Sequence, residues 1–339
     1  MTPEAALLRV IHCLDRARES GFKTKAFVRA LDVVRSTSLD EIERRATRST
    51  LTDLDGIGSS TAAVIADAVA GRYPAYLAKI EAESGVPITA GGQIYRDALR
   101  GDCHVHSTWS DGGAPIEAMA ATAMSVGHEY MVQTDHSARL TIAHGLNEER
   151  LAQQLDQIEA INQQFADAGD DFRILSGMEV DILEDGSLDL CDEMLSRLDV
   201  VVASVHSKLR MERGQMTERM LAAVTSPHVD ILGHCTGRMI GKRPPSDFDA
   251  DAVFAACADS HTAVEINCRP ERLDPPRELL RRAVELGCWF TIDTDAHATG
   301  HLEWQPLGCD RAAECEVPVE RILNALPVDD LLAWTRRPR

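Results

Sequence analysis

The sequence predicts an α/β protein in which a small all-helical domain precedes a barrel of seven parallel β/α units. Three observations carry that prediction. Apolar runs of strand length recur at seven places, near 102–106, 129–134, 173–178, 199–204, 229–232, 262–266 and 289–293. Between them lie amphipathic stretches at 115–126, 148–166, 215–224, 249–259 and 276–286; in the second, Leu151, Leu155, Ile158, Ile161 and Phe165 recur at helical spacing. Ahead of residue 96 the periodicity is helical only. Seven units in about 240 residues suit a closed or nearly closed parallel barrel better than an open sheet.

Composition excludes several classes. With 44% apolar and 26% charged residues the chain is neither disordered nor fibrous. No stretch approaches the roughly 18 uncharged apolar residues of a membrane span, and the N-terminus lacks a basic-then-apolar leader. A cytoplasmic protein without a membrane partner is expected. Nine scattered cysteines with no C-x-x-C read as reduced thiols rather than a disulfide framework. The net charge of −19 is uneven: residues 1–95 hold 12 basic and 12 acidic side chains, so all of the excess acidity falls in 96–339.

The first domain reads as helices at 4–18 and 24–35 and a third after Ser38, where Ser38-x-x-Glu41 has the form of a capping box. Next comes Leu51-Thr52-Asp53-Leu54-Asp55-Gly56-Ile57-Gly58-Ser59-Ser60-Thr61, two glycines around one apolar residue with a helix directly behind. Such a turn can hold a phosphate by its amides and the helix N-terminus. The segment resembles the helix-hairpin-helix motif, and residues 1–84 resemble the small N-terminal DNA-binding domain of family-X DNA polymerases. That resemblance implies DNA contact through Gly56, Ile57 and Gly58. The domain's neutral charge argues for a mere packing turn, although Lys23, Lys25, Arg29, Arg44, Arg45 and Arg48 could form a basic face. Turn formers over 84–92 read as a linker, so the domains are placed at 1–95 and 96–339.

Barrels of this kind carry their chemistry where strands end. The first strand ends in His104-Val105-His106 with Asp111 in its loop, the second in Asp135-His136 and the third in Glu179. The fourth ends in His206, the fifth in His234, the sixth in Glu265-Ile266-Asn267, and the seventh in Asp295-Ala296-His297. His104 and His106, alternating on one strand face, form a metal pincer once others join them. A rim so rich in imidazole suits zinc, manganese or iron better than calcium or magnesium. Asp135 and Asn267 are placed to orient ligands. Arg238, Lys242 and Arg243 after His234, Arg269 after the sixth strand, and Lys208 and Arg210 after His206 read as contacts for substrate phosphate in an otherwise acidic domain. His144 is placed at the mouth.

The motifs H-x-H-S-x-x-S-D-G, T-D-H-S, G-x-E-x-D, S-V-H-S, G-H-x-T-G-R, E-I-N and T-D-A-H together resemble the PHP (polymerase and histidinol phosphatase) family over about 100–310. Their form is most similar to the PHP domain attached to bacterial family-X polymerases. The resemblance implies a distorted TIM-like (β/α)7 barrel and two to three divalent ions (zinc, manganese or iron). It implies one ion on His104, His106, Glu179 and Asp295, a second on Glu179, His206 and His234, and a third on Asp111, His136 and His297. A hydroxide held by Glu179, His206 and His234 is then expected to attack a phosphate ester. The expected substrate is a nucleic-acid end, in the manner of an exonuclease or 3′-phosphatase, with DNA held by the N-terminal domain. A small-metabolite phosphomonoesterase of the histidinol phosphatase type and a DNA-binding scaffold with a vestigial site are the alternatives. Only about 15 residues separate the two domains, which leaves no room for a polymerase palm, so no polymerase activity is expected. The oligomeric state stays open.

Overall fold

The computed structural model describes residues 1–19 and 21–336. They form two compact units: Met1–Val86 with Thr299–His301, and Pro87–Ala298 with the chain from Leu302 onward.

The first unit is built of α1 (Pro3–Arg16), α2 (Gly21–Ser36), α3 (Leu39–Thr47), α4 (Ser59–Val69) and α5 (Ala75–Ser84). Thr2 caps α1 by accepting from the Ala5 amide at 3.1 Å, with Pro3 in the first turn where no amide hydrogen is needed. Leu7, Val10, Leu14, Phe27, Leu31, Val64, Ile65 and Leu77 make a shared apolar core. Ser38 caps α3 as expected, but the Glu41 carboxylate turns to Arg45 Nε (2.5 Å) instead of closing the box. Gly56 has φ +92°, and a Cβ there would meet Val33 Cγ2 at 3.1 Å, so the turn before α4 requires glycine.

The second unit opens with α6 (Ala90–Ala98), followed by β1 (Gly101–Val105), α7 (Ile116–Ser125), β2 (Tyr130–Gln133), α8 (Glu148–Ala168), β3 (Arg173–Asp181), α9 (Asp192–Leu195), β4 (Val200–Ser204) and α10 (Arg213–Val224). It continues with β5 (Ile231–Leu232), α11 (Ala250–Ser260), β6 (Ala263–Asn267), α12 (Arg277–Glu285), β7 (Phe290–Asp293), α13 (Gln305–Glu314) and α14 (Val328–Thr335). The seven strands are parallel and lie in chain order β1 to β7. Each strand overlaps the apolar run that placed it, although β3 runs on past residue 178 to Asp181 and β5 is only Ile231–Leu232. Beyond the strand ends β1 meets the segment after β7 through the Val105–Ala296 bridge, with His106 N donating to Ala296 O at 2.8 Å, which brings the ring to near closure. This is the (β/α)7 TIM-like barrel.

Packing follows from the alternation of strand side chains. Ile116 and Met119 of α7 and Ile158 and Ile161 of α8 cover Val105, Met131 and Ile174. Leu331, Leu332 and Trp334 of α14 join Val132, Val200, Val202 and Ile231 in another cluster. The expected division between residues 95 and 96 falls inside α6, which packs on α13, and the units part after Val86 instead. No helix among the described residues is long and apolar enough to cross a membrane.

Candidate metal centre

Glu179, near the end of β3, is the hub of the rim. Its side chain is fully buried, with Oε1 at 2.9 Å from His234 Nε2 and 3.2 Å from His206 Nε2. Its Oε2 lies 2.8 Å from His136 Nδ1, 3.3 Å from His104 Nε2 and 3.6 Å from His106 Nε2. Five imidazoles from four different strand ends thus surround one carboxylate. Burial alone would raise the Glu179 pKa, but the His206, His104 and His136 imidazoles outweigh it and hold the carboxyl well below its usual range.

A second group lies beside the first. Asp111, from the β1 loop, has Oδ1 at 3.5 Å from His136 Nε2 and 3.4 Å from His297 Nε2. The His136 ring therefore faces Glu179 with one nitrogen and Asp111 with the other. Burial, with His297 and His136 close by, holds His106 well below the usual imidazole range, so its ring stays neutral and free to donate a lone pair. Asp295 Oδ1 lies 3.5 Å from His106 Nε2 and 3.4 Å from His297 Nδ1. Its backbone sits at φ +53°, a left-handed conformation held in place by the surrounding contacts.

These side chains assemble three sets whose ligand atoms lie within 4.8 Å of one another: His106, Asp111, His136 and His297; His104, His106 and Glu179; and His136, Glu179 and His206. The test of fit is the inward-facing atoms themselves. His104 Nε2, His106 Nδ1 and Nε2, His136 Nδ1, His206 Nε2, His234 Nδ1 and Nε2, and both Glu179 oxygens are buried without a hydrogen bond. Leaving such groups unsatisfied costs about 1–3 kcal/mol each, which a fold does not tolerate in one place unless cations satisfy them. The residues present fit a set of divalent cations.

The outward nitrogens of His104 and His206 are fixed. His104 Nδ1 lies 2.6 Å from Glu265 Oε1, and His206 Nδ1 lies 2.6 Å from Asp181 Oδ1, contacts that aim each Nε2 at the centre. The sequence motifs contain both Asp181, the last residue of G-x-E-x-D, and Glu265, but give neither an orienting role. Both were signalled by alternation, since Asp181 is two residues from Glu179 on one strand face and Glu265 precedes Asn267. Asp135 collects the amides of Ser107 and Ser110, their hydroxyls, and the Gln133 and Gln154 side-chain amides, all on one buried carboxylate. That hub sets the loop bearing Asp111. Asn267 Nδ2 reaches Asp295 Oδ2 at 3.2 Å.

The expected phosphate contacts divide. Arg269 Nη1 lies 3.6 Å from Asp295 Oδ1 and 3.3 Å from His297 Nδ1, so it stands at the centre. Arg272, which the sequence reading passed over, places Nε 3.1 Å from Asp295 Oδ2, and its Nε and Nη1 make no hydrogen bond. The Arg238 guanidinium donates to the carbonyls of Arg272 and Leu273 and holds their loop. Arg243 Nε donates to Gly237 O at 2.7 Å, Lys242 is exposed, and Lys208 faces Glu184 at 3.9 Å. His144 is an exposed loop residue. In the first unit, the Ile57 amide donates to Leu54 O at 3.1 Å and the Gly58 amide to Thr61 Oγ1 at 2.9 Å, so neither is open to a phosphate.

Known proteins share parts of this sequence. The PHP domain family model matches residues 102–268. The chain is 41% identical over 239 residues, 70% of its length, to the DNA polymerase/3′-5′ exonuclease PolX of Bacillus subtilis (strain 168), and the match spans 41% of that protein. It is 31% identical over 180 residues to a probable phosphatase of Edwardsiella ictaluri (strain 93-146), covering 49% of this chain and 69% of that one. Among solved structures, histidinol phosphate phosphatase from Lactococcus lactis subsp. lactis Il1403, complexed with zinc, L-histidinol and phosphate, aligns with a TM-score of 0.45 at 20% identity over 63% of this chain and 94% of that one. With the family's motifs assembled on one rim, the chain belongs to the PHP family of metal-dependent phosphoesterases.

Proposed function

We propose that the protein hydrolyses the terminal phosphodiester of a nucleic-acid strand, releasing one nucleotide at a time. The observation that carries the phosphoesterase chemistry is the ring of imidazoles about Glu179 with the Arg269 and Arg272 guanidiniums beside it. The identity to a protein named as a 3′-5′ exonuclease supports the strand end as substrate. In the reaction water adds to phosphorus, the bond to the 3′ oxygen of the preceding nucleotide breaks, and a nucleoside 5′-monophosphate leaves.

Divalent cations in such a site lower the pKa of water and neutralise charge growing on the phosphoryl oxygens. The nine side chains His104, His106, Asp111, His136, Glu179, His206, His234, Asp295 and His297 would hold them. Glu265 and Asp181 keep the Nε2 atoms of His104 and His206 aimed inward. Arg269 and Arg272 orient a phosphoryl oxygen, and Lys242 and Arg243 meet phosphates farther along the strand, while Lys208 faces Glu184 on the other side of the rim. DNA contact by the first unit is left to the opening turn of α4, whose amides point out of the helix start.

The test is degradation of a 5′-labelled oligonucleotide by purified protein with Mn²⁺ or Zn²⁺. Stepwise shortening from the 3′ end, lost in His104→Ala, is expected. Release of inorganic phosphate only, from a 3′-phosphorylated oligonucleotide, would assign a 3′-phosphatase. Turnover confined to small phosphomonoesters would instead favour the reading that the phosphatase-named relatives support.

A further inference from the structure

A cleft of about 560 Å³ opens on the rim between the loops that follow β2 and β3. Leu146, Leu183, Leu188 and Leu190 give it an apolar lining, and Glu148, Glu149 and Asp189 give it an acidic border. Its walls are tied to residues of the centre through the backbone. The Leu146 amide donates to His136 O at 2.7 Å, and the Asp189 amide donates to the carbonyl of Asp181, whose carboxylate orients His206. Neither the motifs nor the imidazole ring accounts for it.

Charge divides the rim. The guanidiniums of Arg269 and Arg272 stand at Asp295, after β6 and β7, on the far side of the ring from the β2 and β3 loops. A strand running away from the centre has its phosphates drawn to the guanidinium side and repelled from the carboxylate side. What enters the cleft is the part of the substrate beyond the last phosphate. Half-buried leucine surface suits the faces of a base, and carboxylates at the border accept hydrogen bonds from its ring and exocyclic N–H groups.

We propose that this cleft receives the terminal nucleoside of the strand, so that its acidic border restricts the centre to strand ends. This inference rests on the nucleic-acid-end reading above. It adds a subsite for a nucleoside beside the cation ligands and the Arg269 and Arg272 guanidiniums.

Cys191 lines the cleft and is the one exposed thiol among the described residues, which makes it a reporter. The full-length protein is treated with N-ethylmaleimide alone, with adenosine 5′-monophosphate, or with inorganic phosphate. Adenosine 5′-monophosphate is expected to slow alkylation of Cys191 at least threefold, and phosphate at equal concentration to leave it unchanged. Alkylated protein is expected to lose at least tenfold in kcat/KM on an oligonucleotide while keeping its rate on methyl p-nitrophenyl phosphate, whose retained substituent is a single carbon. Cys191→Ser should be indifferent to the reagent. Equal alkylation with and without the nucleotide, or undiminished trimming by alkylated protein, overturns the subsite. If untreated protein hydrolyses methyl p-nitrophenyl phosphate but trims no oligonucleotide, the strand-end reading fails, and the subsite for a strand terminus fails with it.

Discussion

His206 Nδ1 sits 2.6 Å from Asp181 Oδ1 while Nε2 of the same ring points at Glu179 Oε1, 3.2 Å away, so one strand, β3, supplies both the partner and the aim of this imidazole. Asp181→Asn keeps the shape but removes the charge that fixes the ring. Loss of such a partner costs about 10–100-fold in metal affinity. Titration of metal-free protein with Zn²⁺ by calorimetry checks this, and affinity within threefold of the parent would show that the contact does not tune the site.

Asp135 gathers six donors from the β1 loop, β2 and α8. Asp135→Ala leaves several of them unpaired in a dry place and should destabilise the barrel by about 3 kcal/mol or more. The loop carrying Asp111 loosens with it. Urea unfolding and metal content per chain are the measurements, with a lower midpoint and a lost ion expected together.

The two rim arginines should separate by kinetics. Arg272→Ala removes guanidinium nitrogens at the centre and is expected to lower kcat/KM by roughly 100-fold with little change in melting temperature. Arg238→Ala releases the carbonyls of Arg272 and Leu273, so its loss should appear first as lower stability, by about 1–3 kcal/mol. A deficit of equal size and kind in both variants would contradict the division of roles.

His128 is buried away from the centre, with Nε2 at 2.9 Å from Gln305 Oε1. Burial first, and then Arg96, pushes its pKa down to about 4. The unfolded chain binds a proton near pH 6.5 and the fold does not until about 4, so the stabilisation is complete above pH 6.5 and lost as pH falls through that window. The change amounts to about 3 kcal/mol, and His128→Gln should remove about one proton from the pH dependence of urea unfolding between pH 6.5 and 4.

Chelation should destabilise the barrel, because the buried inward nitrogens and the Glu179 oxygens then have no partner. Scanning calorimetry with EDTA, and again after adding back Mn²⁺ or Zn²⁺, should show a melting temperature that falls and recovers. A transition indifferent to both treatments would separate the fold from its cations.

The barrel was legible because each strand is an apolar run that stops at a ligand-type residue, and the same register brought the nine side chains from His104 to His297 onto one rim. What escaped was set by tertiary contact. Gly91 and Gly92 read as a linker, yet they lie in the first turn of α6, where a Cβ on Gly92 would fall 2.0 Å from Asp310 Oδ1. That glycine is a packing requirement, not a break. Arg238 and Arg272 look alike in sequence, and only the fold shows that one clasps loop carbonyls while the other stands against Asp295. Asp181 closes the G-x-E-x-D motif, but its role shows only when the His206 ring is seen against it.

The double aspect of His136 has a chemical consequence of its own. A neutral imidazole has one lone pair in the ring plane and one N–H, so His136 can ligate a cation through Nδ1 beside Glu179 or through Nε2 beside Asp111, but not through both. The Glu179 side keeps His206 and His234 whichever way that ring is used, whereas the Asp111 side has only His297 besides. One imidazole can therefore be yielded to Asp111 without emptying the group around Glu179.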